Sequence, residues 1–328
     1  MTTRTIEPAL GIPAWGLLVA LMTTALLVAV ALPAVAADDA FPVTVVDDEG
    51  TEVTVEAYPE RIISLSPANT ETVYALGAGD RLVGGTDYDD YPPEAAEVTD
   101  VATFTGVIME QVVALEPDLV LAAGNGLTKP EEIATMRELG YPVVVLYAPD
   151  VDTVMADIEI IGATVGAAEE ARAMTAQLSA QMEVVAAEAA AAGVTPRVFY
   201  ELDATSEIFA PAPDSFVADM IVRAGGEPIT TGDPALWSIP LEELVVADPE
   251  IIILGDANYG TCPDDVAARP GWDGMTAVVD GNVRPVDDVP ITRPGPRLAQ
   301  GLASLARAIH PELELADFPA DPPMCDEA

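Results

Sequence analysis

The feature that most limits this chain's architecture is a device it carries twice. MEQVVALEPDLVLA runs from Met109 to Ala122, and LEELVVADPEIIIL from Leu241 to Leu254. Each copy has a glutamate (Glu110, Glu242), an apolar run, an acid–proline–acid step and a run of strand-forming residues. Seven residues separate glutamate from proline in both copies, and 132 residues separate the two glutamates. A short helix followed by a buried strand, repeated at this distance, predicts two similar α/β halves. The likeness lies in the pattern, since only Glu, Val and Pro match within the fourteen-residue window.

The flanking segments fit that reading. FPVTVVDDEGTEVTVEAYPE alternates apolar and polar residues around a turn and predicts a β-hairpin. RIISLSPANTETVYALGAGDRLVGG predicts a strand, a helix to about Leu76 capped by Ser66 or Asn69, a glycine stop and a second strand. That helix start would present free N–H groups at a strand's carboxyl end, where α/β sheets bind ligands. A helix near 130–139 and the strand YPVVVLY close the first half. From Asp152 the chain becomes alanine-rich, proline-free and helical, with a break at Gly162 and Gly166. The piece from Ala167 to Ala192 would be about 39 Å long at ~1.5 Å per residue. It reads either as a crossover helix within one domain or as a rod joining two lobes, and the repeat favours the rod. The second half restarts at PRVFYELD and ends in a helix from about Arg297 to Ile309.

The fold class expected is therefore α/β, with two similar halves joined by a long helix. The boundaries are 1–36 for a signal peptide, 41–150 for the first lobe, 151–193 for the helical linker, 194–312 for the second lobe and 313–328 for a Pro-rich acidic tail. Residues 14–32 form an apolar run followed by Ala34-Val35-Ala36, the pattern of a secretory h-region and its cleavage site. The run is also near the minimum that spans a bilayer, so an uncleaved anchor is a second reading. The protein is thus expected outside the cytoplasm, periplasmic or extracellular. Cys262 and Cys325, an even pair beyond an export signal, predict a disulfide stapling the tail to the second half.

Setting aside residues 1–36 removes Arg4 and Glu7 and leaves the net charge at −42. Such a charge repels nucleic acid and anionic membranes. The chain has one histidine, His310, and no G-x-S-x-G, H-E-x-x-H, phosphate loop or C-x-x-C. No metal site, cofactor or catalytic residue is expected. What stands out instead are aromatics in loops at strand ends: Tyr88 and Tyr91 in DYDDYPP, Phe104, Trp237 and Tyr259. Aromatic walls grip a large flat ligand, although each ring can equally pack over its own loop. Trp272 reads as core. Arg297, unfavourable at a helix start, calls for a carboxylate partner. Arg293 either faces a ligand or makes a structural ion pair.

Together RIISLSPANTE, TDYDDYPPEA, Glu110 with PDLVLA, the long mid-chain helix, RAGGEPI, Trp237 with Glu242 and PEIIIL, and RPGPRL resemble the helical-backbone substrate-binding proteins of ABC importers. These take up vitamin B12, ferric siderophores or haem. The resemblance spans residues 42–312 and is nearest to the vitamin B12-binding members. It implies two Rossmann-like α/β lobes joined by a single long α-helix, with the ligand cleft between them, in a non-enzymatic, monomeric protein that captures a corrinoid and delivers it to a permease dimer. A ferric-siderophore or haem binder is the alternative. The ligand set expected is Tyr88, Phe104, Asn125, Trp237, Tyr259 and Arg293. Glu110 and Glu242 match the lobe-tip glutamates that dock on permease arginines; from the residues alone they are exposed charges favoured near helix starts. The sequence departs from the B12-binding pattern at AAGNG, where some members carry a tryptophan. It also lacks their cysteine pair, which would fall near Ala224 and Ala306.

Overall fold

A computed structural model describes residues 41–320 together with 322 and 325. The export segment expected at 1–36 lies outside the described residues. The chain opens with an antiparallel hairpin, β1 (Val43–Val46) and β2 (Glu52–Val55). There follow β3 (Ile62–Ser64), α1 (Pro67–Ala75), β4 (Leu82–Thr86), β5 (Asp100–Thr103), β6 (Gly106–Val107), α2 (Met109–Leu115), β7 (Leu119–Ala123), α3 (Pro130–Glu138) and β8 (Val143–Leu146). Strands β3 to β8 form one sheet in the order β6-β5-β4-β3-β7-β8, parallel except for β6. Parallel strands are covered on both faces, which is why β7 and β8 are buried throughout.

The helical segment holds α4 (Val151–Thr164) and α5 (Ala168–Ala191). The expected break falls between them, with Gly166 at φ +74°. They run back along each other: a Cβ on Gly162 would sit 2.3 Å from the Ala171 Cβ, and the Thr175 hydroxyl donates to Glu159 at 2.9 Å. Helix α5 is the long helix that carries the chain from the first lobe to the second.

The second lobe comprises β9 (Arg197–Glu201), α6 (Phe216–Arg223), β10 (Glu227–Ile229), α7 (Leu241–Ala247), β11 (Ile251–Leu254), α8 (Pro263–Ala267), α9 (Thr276–Val279), β12 (Val283–Pro285), α10 (Val289–Thr292) and α11 (Leu298–Ile309). Its four strands are all parallel, in the order β10-β9-β11-β12. Helix α11 packs on α5 and α6, and one apolar core runs from the hairpin through α4 and α5 into α11. Arg307 on α11 donates to the carbonyls of Leu315, Phe318 and Pro319, anchoring the tail. Cys325 is bonded to Cys262, as the cysteine count predicts.

The duplicated device is the same object in both lobes. Helices α2 and α7 are each seven residues long. Each ends on a left-handed acid, Glu116 at φ 43° and Asp248 at φ 47°. A buried proline and the buried strand follow. Each end is also closed by an arginine at the start of the first strand of its parallel sheet, β3 or β9. Arg61 donates to the Leu115 carbonyl, and Arg197 to those of Ala247 and Asp248. The acid after each proline returns the favour to the backbone: Asp118 accepts from the N–H of Arg61, and Glu250 from that of Arg197. These contacts satisfy helix-end carbonyls that would otherwise be orphaned.

One glycine is fixed by close approach. A Cβ on Gly85 would lie 2.5 Å from Asp89 Oδ2. Asp89 is buried and accepts from the Thr86 backbone N–H and hydroxyl and from the Thr70 hydroxyl. Gly85→Ala is expected to destabilise the protein by about 1–3 kcal/mol, the usual cost of overpacking; equilibrium urea unfolding checks this.

Candidate functional site

The carboxyl ends of both sheets open onto a cavity of about 350 Å³ between the lobes. The first lobe supplies Ser66 to Asn69, Ala123, Leu127 and Leu146 to Ala148. The long helical hairpin supplies Asp157, Ile158 and Ile161. The second lobe supplies Leu202, Ser215 to Val217, Trp237 and Thr292 to Pro294. The lining is mostly apolar, with Tyr147, Phe216 and Trp237 as its large rings.

Local chemistry explains why these residues arrive there. Ser66 caps α1 by accepting from the Asn69 N–H at 3.3 Å, and Pro67 occupies the first helical turn, where its missing N–H costs nothing. Ser215 caps α6 in the same way and sets Phe216 at its mouth. Tyr147 leaves the end of β8 and donates its backbone N–H to Asp48 in the β1–β2 turn. The neighbouring Asp47 accepts from Arg137 at 2.8 Å. The hairpin turn therefore buttresses this wall. Trp237 is held by its carbonyl, which accepts from the Ala210 N–H at 2.9 Å, and the Leu236 carbonyl before it accepts from Thr231 Oγ1.

A buried ion cluster closes the side of the cleft. Glu71 on α1 is 3% exposed. Its two oxygens accept from Arg297 Nε and Nη2 at 2.8 and 2.6 Å, and from Arg293 Nη1 at 3.1 Å. Arg293 also pairs with Asp90, and the Arg293 guanidinium holds that carboxyl below its ordinary range. The Arg297 guanidinium lies over the Tyr91 ring, 4.1 Å from its centre. Three residues of the first lobe thus grip two arginines of the second. Asp288, half-buried and pushed upward chiefly by desolvation, accepts from Tyr200 at 2.7 Å and from Thr292, and so fixes α10 just before Arg293.

Among the residues proposed from sequence, Trp237 and Arg293 line the cavity. Tyr88, Phe104, Asn125 and Tyr259 are not in its lining. Phe104, in the β5–β6 turn, is 88% exposed, and Tyr259, ending a 3-10 turn after β11, is 87% exposed. Tyr88 is exposed on the loop that Asp89 anchors, and Asn125 is exposed after β7 with φ 54°. Glu110 and Glu242 are exposed in the first turns of α2 and α7. Arg297 has its carboxylate partner, and Arg293 both makes a structural pair and faces the cavity. Trp272 is core.

Sequence reading passed over Tyr147, Phe216 and Asp157. Tyr147 follows a recognisable buried strand, so strand-end position could have marked it. Asp157 had a sharper signal: it interrupts the apolar stripe of Val154, Ile158 and Ile161 on one face of α4. It is 8% exposed and its Oδ1 has no hydrogen-bond partner among the described residues. Burial pushes its carboxyl up to about 8, with further contributions from Asp48 and Asp150.

The sequence profile of the periplasmic binding protein family matches residues 62–290. The uncharacterised ABC transporter substrate-binding lipoprotein YvrC of Bacillus subtilis is 31% identical over 84% of this chain and 87% of its own. A protein of Halobacterium salinarum named as cobalamin-binding is 32% identical over 82% of this chain and 74% of its own. Two solved structures share the fold at 25% identity and a TM-score of 0.68. They are the periplasmic vitamin B12-binding protein BtuF of Vibrio cholerae and the haem-binding RhuT of Roseiflexus sp. RS-1. Each covers 77% of this chain; 97% and 98% of the two are covered in return.

Glu71→Gln is expected to lower stability by about 2–3 kcal/mol in urea unfolding. That is less than the ~3–5 kcal/mol of a fully buried pair, because Arg293 keeps Asp90. Asp157 gives a prediction with opposite sign. Its folded pKa near 8 lies above the unfolded value of about 3.9, so the native state holds the extra proton between them. The resulting destabilisation is absent below pH ~4, grows as pH rises and is complete above pH ~8. Asp157→Asn should therefore gain stability over the parent between pH 5 and 8, then hold a constant margin, as urea midpoints at pH 5, 7 and 9 will report.

Proposed function

The chain belongs to the family of periplasmic binding proteins, and from that premise we propose that it is the exported substrate-binding protein of an ABC importer for a corrinoid. The observation that carries this is the inter-lobe cavity, walled by Tyr147, Phe216 and Trp237 on an apolar floor. Such a surface suits the broad face and methyl-rich edge of a corrin ring. A corrinoid is larger than this space, so part of it would stand in the open mouth, where the exposed rings of Tyr88, Phe104 and Tyr259 are proposed to meet it. Relatives named for cobalamin or vitamin B12 support the same assignment. A haem or ferric-siderophore ligand is the second reading, favoured by the equal likeness to RhuT.

The task is capture and delivery without reaction. His310, the only histidine, is buried beside Gly225 at the α5–α11 contact and takes no part in the cavity. Glu110 and Glu242 act as paired feet: two equivalent acidic helix starts, one per lobe, fit the two equivalent basic pockets of a two-fold permease. The protein works as a monomer, held at the membrane only if its N-terminal segment stays uncleaved.

Titration of the purified protein with cyanocobalamin, haemin and ferric siderophores tests the assignment. Trp237 should report binding as a fluorescence change, with micromolar or tighter affinity for the corrinoid. Tight binding of a siderophore or haemin with none of cyanocobalamin would overturn it. The Glu110→Ala, Glu242→Ala double variant should bind as the parent does while transport through the cognate permease falls at least ten-fold; unimpaired transport would remove the docking role.

A further inference from the structure

Among the described residues that line the cavity, one is an acid, Asp157, and one a base, Arg293. They are in opposite situations. Arg293 is spent on Glu71 and Asp90, and its neighbour Arg297 is spent on Glu71 and Tyr91. Two guanidinium groups face two carboxylates, so this side of the cleft is electrically balanced. Asp157 lies in the floor between Ile158 and Ile161, its carboxyl in hydrogen-bond reach of Asp48 and its Oδ1 unpartnered among the described residues.

We infer that Asp157 is a specificity-determining residue of the cleft, which selects ligands that bury an uncharged carboxamide and rejects those that bury a carboxylate. The inference rests on the proposed importer reading and narrows its ligand class. A buried carboxyl without a partner is costly, and a ligand group that completes its hydrogen bonds recovers that cost on binding. A carboxamide brings both an N–H donor and a carbonyl acceptor, the complement of a carboxylic acid. Burial and the hydrogen bond with Asp48 favour the protonated form of Asp157, and its free Oδ1 accepts from the carboxamide N–H. A ligand carboxylate meets the reverse. It would be desolvated against Asp157 with Asp48 close by, and no uncommitted cation lines the cavity. To use Arg293 it would have to displace Asp90 from a bidentate pair.

The test pairs ligands that differ only in this group: cyanocobalamin against its monocarboxylic acids, made by hydrolysis of single side-chain amides, and haemin against haemin diamide. Binding is measured at one pH, near 7.5, for the parent, Asp157→Asn and Asp157→Leu. The parent should prefer the amide partner at least ten-fold in whichever series it binds. Asp157→Leu should lose ten-fold or more for the amide ligand, while Asp157→Asn stays within about three-fold because its amide can form the same pair. Equal affinity for amide and acid forms, or unaltered amide binding by Asp157→Leu, would overturn the inference. Binding confined to the haemin series with the amide preferred would overturn the corrinoid assignment and uphold the role of Asp157. Binding in neither series would overturn both.

Discussion

The contact between Glu71 and the two arginines decides how the lobes meet. A carboxylate with almost no exposure is tolerated only where its oxygens are filled, and here every donor comes from the other lobe. Glu71 sits in α1, whose first turn lines the cavity, and Arg293 adjoins the cavity from the far side. Rotating one lobe away would strand a buried charge, so the ion cluster and the cavity wall share one geometry. Desolvation offsets much of the cluster's attraction. Its value therefore lies in fixing orientation, and Tyr91 beneath Arg297 adds a flat surface that only a matched approach can use.

The lobes themselves are stabilised more plainly, by buried parallel strands and by arginines that close helix ends. Arg61 and Arg197 do the same work in the two halves, against carbonyls at the ends of α2 and α7. The repetition sets Glu110 and Glu242 at equivalent exposed positions in the two lobes, which is what the proposed docking on a two-fold partner calls for. The long helix α5, packed along α4 and α11, makes the connection stiff.

The acidity of the chain gains a local meaning in the cleft. At −42 the protein carries few cations, and those of the cleft are consumed in holding the lobes together. A site built this way has aromatic and aliphatic walls with one carboxyl in its floor, and the proposed selection is by charge. Asp157 is kept polar within an apolar stripe where a leucine would pack with less cost.

The sequence by itself determined the architecture. Periodicity marked the strands and the long helix, Ser66-Pro67 marked the start of α1, and the repeated glutamate–proline spacing marked the two lobes. These signals are local, since helix and strand patterns are written in residues close along the chain. It also determined the cysteine pair and the need of Arg297 for an acid. Only the tertiary structure decided which acid that was: Glu71 lies 226 residues away, and nothing in ANTETVYA distinguishes it from a solvated helix charge. The same holds for the cavity. Exposed loop aromatics such as Phe104 and Tyr259 read as walls in sequence, whereas the large rings that line the cavity are Tyr147, Phe216 and Trp237. A residue's type is fixed locally, but its neighbours across a cleft depend on how two lobes are turned, and long-range ion pairs and packing set that turn.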